Sequence, residues 1–327
     1  MKKISILSIT ASLVVSFVLG LAVFKTYPEF FRADCNDNSL QYVNRELLCG
    51  YQPKVEKHAY QSLKDDLVDL IDSMVESGRV INVSLYFRDL LNGPTLGINE
   101  YEAFTPASLL KVPLLLAYFS LTETRPEVLE DKLVFRRVEA GLEQSFPPAD
   151  SIEEGKPYSV EELLWRMIKY SDNDAYDLLV EYLYYISPDR DLLKQTYTDL
   201  GVIDPEGYSN ATVTVKSYSS ILVQLYNMSF FNEKKTSEKA LYYLANSDFN
   251  FGLRAGIPAD IQIAHKFGER FISEGDLKQL HDCGIVYHPY NPYLLCVMTR
   301  GHDIDTLAHI IASISKMFYE EFNSRKL

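Results

Sequence analysis

Residues 107–119, ASLLKVPLLLAYF, place one lysine in an otherwise apolar stretch, three residues after a serine. A buried ammonium is costly unless it is paired or gives up its proton, so Lys111 needs a reason to stand there. Positions i and i+3 share one face of a helix, and the amine of Lys111 can therefore reach the hydroxyl of Ser108. A serine becomes a strong nucleophile when a base takes its proton, and burial lowers the pKa of a lysine toward the range in which it is such a base. The stretch predicts a reactive serine on a buried helix.

The Ser-x-x-Lys spacing is weak by itself, because about one match is expected by chance in a chain of this length. A second match, residues 313–316, lies in the closing helix and is expected on its solvated edge. Two other motifs favour Ser108. YSDND places Ser-Asp-Asn at residues 171–173 between two helices, and HKFGE places Lys-Phe-Gly at residues 266–268 on a strand. SDN is a rare tripeptide, so the three motifs together are far more specific than any one of them.

The ordered set SxxK, SDN, KxG resembles the class A serine β-lactamases most closely, and with them the penicillin-binding proteins. The resemblance extends over about residues 60–322. It implies that Ser108 is the nucleophile, that Lys111 is its base or proton relay, and that Ser171 hands a proton to the leaving nitrogen. It also implies that Glu206, in EGYSN, activates the deacylating water, although Ser209 stands where the family pattern E-x-x-L-N has leucine.

The same resemblance implies a set of substrate contacts. Asn173 would bind the side-chain amide of the substrate, and Lys266 would face its carboxylate. The backbone N–H groups of Ser108 and Glu269 would form an oxyanion hole, and Gly268 would let the substrate lie close to the strand. Phe267 replaces the hydroxyl that the family usually has between the lysine and the glycine, which removes one hydrogen bond to a substrate carboxylate.

The activity implied is that of a serine acyl-enzyme hydrolase that opens the amide of β-lactams through attack by Ser108. If the deacylation base is missing, the protein would instead be a D-Ala-D-Ala carboxypeptidase, a penicillin-binding protein of peptidoglycan metabolism. A third alternative is a binding module that holds cell-wall peptides or β-lactams without turnover. The expected substrate is thus a β-lactam or a D-Ala-D-Ala peptide.

The order of elements predicts an α/β (α+β) fold. A helix at residues 59–78 precedes a hairpin with its turn at Asn92-Gly93, a helical block follows, and three strands and a closing helix end the chain. Strands from both ends would join one antiparallel sheet flanked by helices, with an all-helical block at one side, as in the β-lactamase and transpeptidase fold. Thr105 is expected to cap the Ser108 helix, Pro113 to kink it, and residues 125–157 to form an irregular excursion.

Ile4–Phe24 carries no charge and is long enough, as a helix, to cross a bilayer. The two lysines that precede it favour an N-terminus in the cytoplasm. We expect an uncleaved transmembrane anchor at residues 1–25, a stalk at 26–55 and a catalytic domain at 56–327, outside the cytoplasm. A cleaved signal peptide and a buried N-terminal core helix are the alternatives.

Charge and cysteine content limit the remaining options. The net charge of -13 argues against nucleic acid as a partner, because phosphate binding draws on clustered Lys and Arg. The six histidines and four cysteines form no zinc pattern, so neither metal nor cofactor is expected. Cys35 with Cys49, and Cys283 with Cys296, are close enough in sequence for two local disulfides, with free buried thiols as an equal alternative for the second pair. We expect a monomer.

Overall fold

The computed structural model describes residues 16–17, 40–48, 60–136, 144–187, 191–202, 212–272 and 276–324. Among the described residues the α-helices are α1 Gln61–Glu76, α2 Lys111–Thr122, α3 Val160–Lys169, α4 Asn173–Ile186, α5 Leu192–Asp199, α6 Val215–Tyr226, α7 Lys234–Ala245 and α8 Ile304–Ser324. The strands are β1 Asn82–Asp89, β2 Thr95–Ile98, β3 Lys132–Val134, β4 Pro157–Ser159, β5 Ile263–Ile272, β6 Leu277–Val286 and β7 Tyr293–Gly301. Short 3-10 turns lie at Arg45–Leu48, Ala107–Leu110, Pro126–Glu130 and Gly252–Gly256.

One five-stranded sheet organises the molecule. Its order is β2-β1-β7-β6-β5 and every neighbouring pair is antiparallel, so the N-terminal hairpin and the three C-terminal strands meet between β1 and β7, as predicted. Strand β5 lies at one edge of the sheet, opposite β2 at the other, and it carries the Lys-Phe-Gly motif. From this strand Lys266 reaches the helical block, where its Nζ contacts Ser171 Oγ.

The two faces of the sheet are buried against different layers. Alternating strand residues such as Leu85, Phe87 and Val297 pack with α1 and α8 on one face. The opposite face, including Ile285 and Met298, joins the core of the helical block around α2. Alternation of side chains along a strand explains this division, since a strand with two covered faces must be apolar at successive positions.

The first helix and the hairpin follow directly from their sequence patterns. In α1 the buried residues recur at helical spacing (Leu63, Leu67, Ile71, Met74), and Gly78 follows the helix with a φ of 70° that suits glycine. The hairpin prediction is also confirmed, because β1 and β2 pair in an antiparallel register. Ser159 caps α3 by accepting the N–H of Glu162.

The start of the Ser108 helix differs from its prediction. The chain first makes the 3-10 turn Ala107–Leu110, and only then α2, with no side-chain cap at Thr105. Pro113 is therefore the third residue of α2 rather than an interior one, and the first turn of a helix has N–H groups without intrahelical acceptors, which is where proline is tolerated. The predicted cap is wrong for this reason, and the predicted kink stays a prediction.

Two other segments are more regular than expected. The excursion at 125–157 contains a 3-10 turn and β3, which pairs with β4, while residues 137–143 lie outside the described part. Helix α5 was not predicted, although Asp191 caps it in the ordinary way by accepting the N–H of Lys194. Its short length gives too few turns for a clear apolar period.

Of the predicted anchor and stalk, the structure describes only residues 16–17 and 40–48. The proposed anchor lies outside the described residues except for 16–17, and no helix in the described ranges is both long and apolar enough to cross a membrane. Within the predicted stalk, residues 40–48 pack against the helical block. The Glu238 carboxylate of α7 accepts the backbone N–H groups of residues 41–43, and the Tyr287 hydroxyl donates to the carbonyl of Tyr42.

Cys283 and Cys296 are opposite each other on β6 and β7 and are joined by a disulfide. This settles the alternative left open for the second pair. Cys35 and Cys49 lie outside the described residues.

Candidate active site

The turn that carries Ser108 is held at both of its ends. Before it, Thr105 donates its N–H to the side chain of Gln279 at 3.1 Å, and its carbonyl accepts a hydrogen bond from His281 Nε2 at 3.0 Å. Near its other end, the carbonyl of Leu109 accepts a hydrogen bond from the hydroxyl of Tyr218. Ala107 itself has a φ of 51°, an uncommon backbone conformation for a residue with a side chain. Such a conformation persists only where the surroundings fix it, and here the sheet does so.

Lys111 reaches the nucleophile and the SDN motif at once. Its Nζ lies 3.1 Å from Ser108 Oγ, 3.2 Å from Ser171 Oγ, 2.6 Å from the Ser171 carbonyl and 2.6 Å from Asn173 Oδ1. The carbonyl and amide oxygens only accept, so they take two N–H groups of the amine. In the neutral form the remaining lone pair is left for a hydroxyl proton, which is the arrangement a general base requires.

Burial makes that neutral form accessible. The side chain of Lys111 is 2% exposed. Loss of hydration lowers its pKa from 10.5 to about 7, against the opposing attraction of Asp172 and other carboxylates. The sequence predicted the contact with Ser108 from the three-residue spacing, and the lowered pKa of Lys111 from the apolar run around it.

The SDN segment is fixed by the aspartate that neither the sequence argument nor the resemblance had given a role. Ser171 has a φ of 56°, and Asp172 follows it as the N-cap of α4 by accepting the N–H of Ala175. The other carboxylate oxygen of Asp172 accepts the N–H of Ile152 at 2.9 Å. Burial raises the pKa of Asp172, and these two N–H donors act against that rise. The cap signal was visible in sequence, whereas the bond to Ile152 spans twenty residues and was not.

Lys266 enters the site from β5 and shares one hydroxyl with Lys111. Its Nζ donates to Ser171 Oγ at 2.8 Å and to the carbonyl of Phe267 at 3.0 Å. The side chain is fully buried, and desolvation lowers its pKa well below the ordinary value, with the charge of Lys111 acting in the same direction. A continuous line of polar atoms thus runs from Ser108 Oγ through Lys111 and Ser171 to Lys266.

Gly268 has a role within the fold, beside the predicted close approach of a substrate, which stays a prediction. A Cβ at this position would lie 3.0 Å from the carbonyl oxygen of Pro106 and 3.2 Å from the backbone nitrogen of Leu109. Strand β5 therefore touches the turn that carries Ser108, and it is this turn, within the protein itself, that fills the space. The contact also brings the backbone of Glu269 beside the turn.

The Glu269 side chain makes a contact that the sequence did not indicate. Its carboxylate accepts the backbone N–H groups of Ser145 at 2.9 Å and Phe146 at 3.1 Å. The excursion between α2 and α3 is thereby fastened to the edge strand next to the site. The two segments are more than a hundred residues apart in sequence, so no local pattern could have paired them.

Glu206 lies outside the described residues, and its predicted part in deacylation stays a prediction. Val213, just after that segment, forms a backbone bridge with Phe104, four residues before Ser108. The second Ser-x-x-Lys match is on the surface of α8, where Ser313 donates to a backbone carbonyl of its own helix and Lys316 is 66% exposed on its side chain. In the described ranges no group of three or more His, Cys, Asp or Glu is placed to hold a metal ion.

The fold and the site define a class of protein, a serine hydrolase in which a buried lysine lies within hydrogen-bonding distance of the nucleophile. A profile of the β-lactamase enzyme family matches residues 63–322, most of the chain, and the chain belongs to that family. It is a serine β-lactamase-like hydrolase.

Individual relatives are distant. The extended-spectrum β-lactamase PER-1 of Pseudomonas aeruginosa is 23% identical over 245 residues, 70% of this chain and 79% of that protein. A class A β-lactamase from Bacteroides cellulosilyticus matches with a TM-score of 0.66 at 21% identity, over 80% of this chain and 98% of that one. A mutant of PBP-A, solved as an acyl-enzyme complex with penicillin G, matches with a TM-score of 0.64 at 21% identity, over 84% of this chain and 100% of that one. These likenesses show the fold.

Proposed function

We propose that this protein opens β-lactams through a covalent acyl-enzyme on Ser108. The observation that carries the proposal is the position of Lys111 Nζ, buried and 3.1 Å from Ser108 Oγ. Ser108 is itself only half-buried, so a substrate carbonyl can reach it. A nucleophile in reach of solvent beside a base shielded from it is the arrangement that serine acyl transfer needs.

In the acylation step Ser108 Oγ forms a bond to the carbonyl carbon of the lactam and its proton passes to Lys111. Negative charge develops on the carbonyl oxygen, to which the backbone N–H groups of Ser108 and Glu269 would donate hydrogen bonds. The C–N bond then breaks, and Ser171 gives its proton to the leaving nitrogen and regains one from Lys111. The contact of 3.2 Å between Lys111 Nζ and Ser171 Oγ supports this return of the proton.

Three further assignments complete the proposal. Asn173, whose Oδ1 accepts from Lys111, retains its NH₂ group for the amide carbonyl of a substrate side chain. Lys266 faces the carboxylate of the substrate from β5, and its Nζ lies 2.8 Å from Ser171 Oγ. Glu206 activates the water that hydrolyses the acyl-enzyme, on the strength of its spacing to Asn210 alone.

The test is the intact mass of the protein over time after mixing with a penicillin. We expect an adduct that forms and disappears as the drug is consumed. Ser108→Ala should abolish the adduct, and Ser313→Ala, at the exposed second motif, should leave it unchanged. Labelling that survives Ser108→Ala would refute the assignment of the nucleophile.

The fate of the adduct separates the alternatives. An adduct that persists would contradict β-lactam hydrolysis and favour the D-Ala-D-Ala carboxypeptidase alternative. Glu206→Gln would then leave the lifetime of the adduct unchanged. If Glu206 is the deacylation base, Glu206→Gln should turn a transient adduct into a persistent one. Absence of any adduct, with the drug intact, would favour a binding module without turnover.

We also propose that the chain is anchored in a membrane by residues 1–25, with the domain outside the cytoplasm. The uncharged run Ile4–Phe24 after two lysines supports this. Expression of the full chain and of a chain lacking residues 1–25 should place the first in the membrane fraction and the second in the soluble one. External protease should digest the domain of the full chain in intact spheroplasts, and protection there would refute the orientation.

A further inference from the structure

Two polar side chains of β6 face the turn that carries Ser108. Gln279 and His281 are two residues apart on the strand, so their side chains lie on the same face of the sheet. It is the face covered by the helical block, because Cys283 and Ile285, at the next alternate positions, belong to the core around α2. Gln279 is 3% exposed and His281 is fully buried. Both side chains must therefore find polar partners inside the protein.

Both side chains bond to the backbone of one residue, Thr105. Gln279 Oε1 accepts the N–H of Thr105 at 3.1 Å, and His281 Nε2 donates to its carbonyl oxygen at 3.0 Å. The direction of the second bond follows from the acceptor, since a carbonyl oxygen has no proton to give. The imidazole is packed edge to face against the ring of Phe104, with centroids 5.3 Å apart. Thr105 is thus bound to β6 through both its donor and its acceptor.

The neighbouring strand completes the support of the turn. Gly268 of β5 is the register partner of His281. A Cβ on Gly268 would lie 3.0 Å from the carbonyl oxygen of Pro106, so the turn lies directly against the bare backbone of this glycine. The turn is therefore in contact with two adjacent strands, with one by close packing and with the other by two side-chain hydrogen bonds.

The turn needs such support because of its backbone conformation. Ala107 has a φ of 51°, which a residue with a side chain adopts only where its surroundings fix it. Pro106 has no N–H, and its carbonyl accepts the N–H of Leu109 within the turn. Thr105 comes immediately before Pro106 and Ala107, so its two bonds to β6 fix the chain where it enters the uncommon conformation.

The position of the turn decides the contact on which acylation depends. Ser108 Oγ lies 3.1 Å from Lys111 Nζ, near the upper end of the usual hydrogen-bond range. The amine of Lys111 is also bound to Ser171 and Asn173, so it does not follow a shift of the serine. A displacement of a few tenths of an ångström would lengthen the contact beyond that range, and a misplacement of about 1 Å can cost about 100-fold in rate.

We infer that Gln279 and His281 are positioning residues for the nucleophile, which hold Ser108 Oγ within reach of Lys111 by fixing Thr105. The inference rests on the proposed acylation of Ser108. Both side chains are buried, so they act on acylation through Thr105 and not through contact with the substrate. They should therefore affect the rate of the covalent step and leave the preceding binding of the substrate unchanged.

The test measures the rate of penicillin adduct formation by intact mass at several penicillin concentrations, under single-turnover conditions. The limiting rate reports the covalent step, and the half-saturating concentration reports binding. His281→Leu removes the donor to Thr105, and we expect the limiting rate to fall at least about tenfold while the half-saturating concentration changes less than about twofold. His281→Gln keeps an N–H donor close to the position of Nε2 and should recover most of the rate. Gln279→Met, which removes the acceptor, should reproduce the loss and provides the same reading if His281→Leu does not fold.

Thr299→Val is the matched control. The hydroxyl of Thr299 also donates to a backbone carbonyl, that of Leu280 at 2.7 Å, and the residue is fully buried in the same sheet. Thr299 follows Met298, which packs in the core of the helical block, so its own side chain lies on the face of the sheet away from the serine turn. The variant should unfold at a lower urea concentration than the wild type and acylate at the wild-type rate.

Three results would overturn the inference and leave the acylation of Ser108 intact. They are a wild-type limiting rate in both His281→Leu and Gln279→Met, a loss that His281→Gln does not recover, and an equal loss in Thr299→Val. The second would assign the loss to packing, and the third to general stability. A wild-type chain that forms no adduct would refute the acylation of Ser108, and the inference with it.

Discussion

The rate of acylation of Ser108 should increase about tenfold for each pH unit as the pH rises toward 7, and it should level off above about pH 8. The reason is that the rate follows the neutral fraction of Lys111. Burial lowers the pKa of this lysine from 10.5 to about 7. At pH 7 about half of the amine is then neutral, against roughly 3 parts in 10,000 for a lysine of ordinary pKa. Desolvation thus increases the available base by about 1,500-fold at that pH.

The assay is the single-turnover rate of penicillin adduct formation between pH 5 and 9.5. A rate that is flat over this range, or one that continues to climb tenfold per unit up to pH 9.5, would refute the reasoning. The first result would mean that the base is another group, and the second that Lys111 keeps the pKa of an exposed lysine. Lys111→Ala should remove the dependence together with nearly all of the rate.

The same shift predicts an effect on stability with a definite sign. The folded state disfavours the proton on Lys111, so the shift lowers the free energy of unfolding by about 5 kcal/mol below pH 7. This destabilisation decreases as the pH rises from 7 toward 10.5. Lys111→Met, an uncharged side chain of similar length, should therefore be more stable than the wild type at pH 6, and the difference in unfolding free energy should shrink by pH 9.5. Urea unfolding of both proteins measures it, and a difference that does not change with pH would contradict the shift.

Three substitutions around the site carry further predictions. Gly268→Ala places a methyl group 3.0 Å from the Pro106 carbonyl, and we expect about a tenfold slower acylation because a displacement of the serine turn by a few tenths of an ångström disturbs the attack geometry. Burial lowers the pKa of His281 to about 4, so the stability that its neutral form confers is complete above pH 6.5 and is lost as the pH falls through 4. The advantage of the wild type over His281→Phe in urea unfolding should accordingly shrink across that window, and a constant difference would contradict it. Asp172→Ala removes the cap of α4 and the bond to Ile152, and should lower the unfolding free energy by about 2 kcal/mol and slow acylation, as circular dichroism melts and adduct kinetics would show.

Local periodicity was sufficient where an element is long and has one buried face. The spacing of apolar residues in α1 and the Asn92-Gly93 turn of the hairpin have their counterparts in the structure. The N-cap prediction failed at Thr105, because a 3-10 turn precedes the helix and the backbone N–H and carbonyl of Thr105 bond to Gln279 and His281 on β6, far along the chain. A cap cannot be read from local sequence when a tertiary contact takes its place.

The sequence by itself determined the chemical groups of this protein. Ser108 and Lys111 are three residues apart on one turn, so their contact is a local property of the chain, and the apolar run around them requires a buried amine. The tertiary structure alone decided what surrounds those groups. The bond from Lys266 to Ser171, the bond from Phe146 to Glu269 and the fit of Gly268 against the serine turn join residues distant in sequence, and such contacts exist only once the sheet and the helical block have packed together.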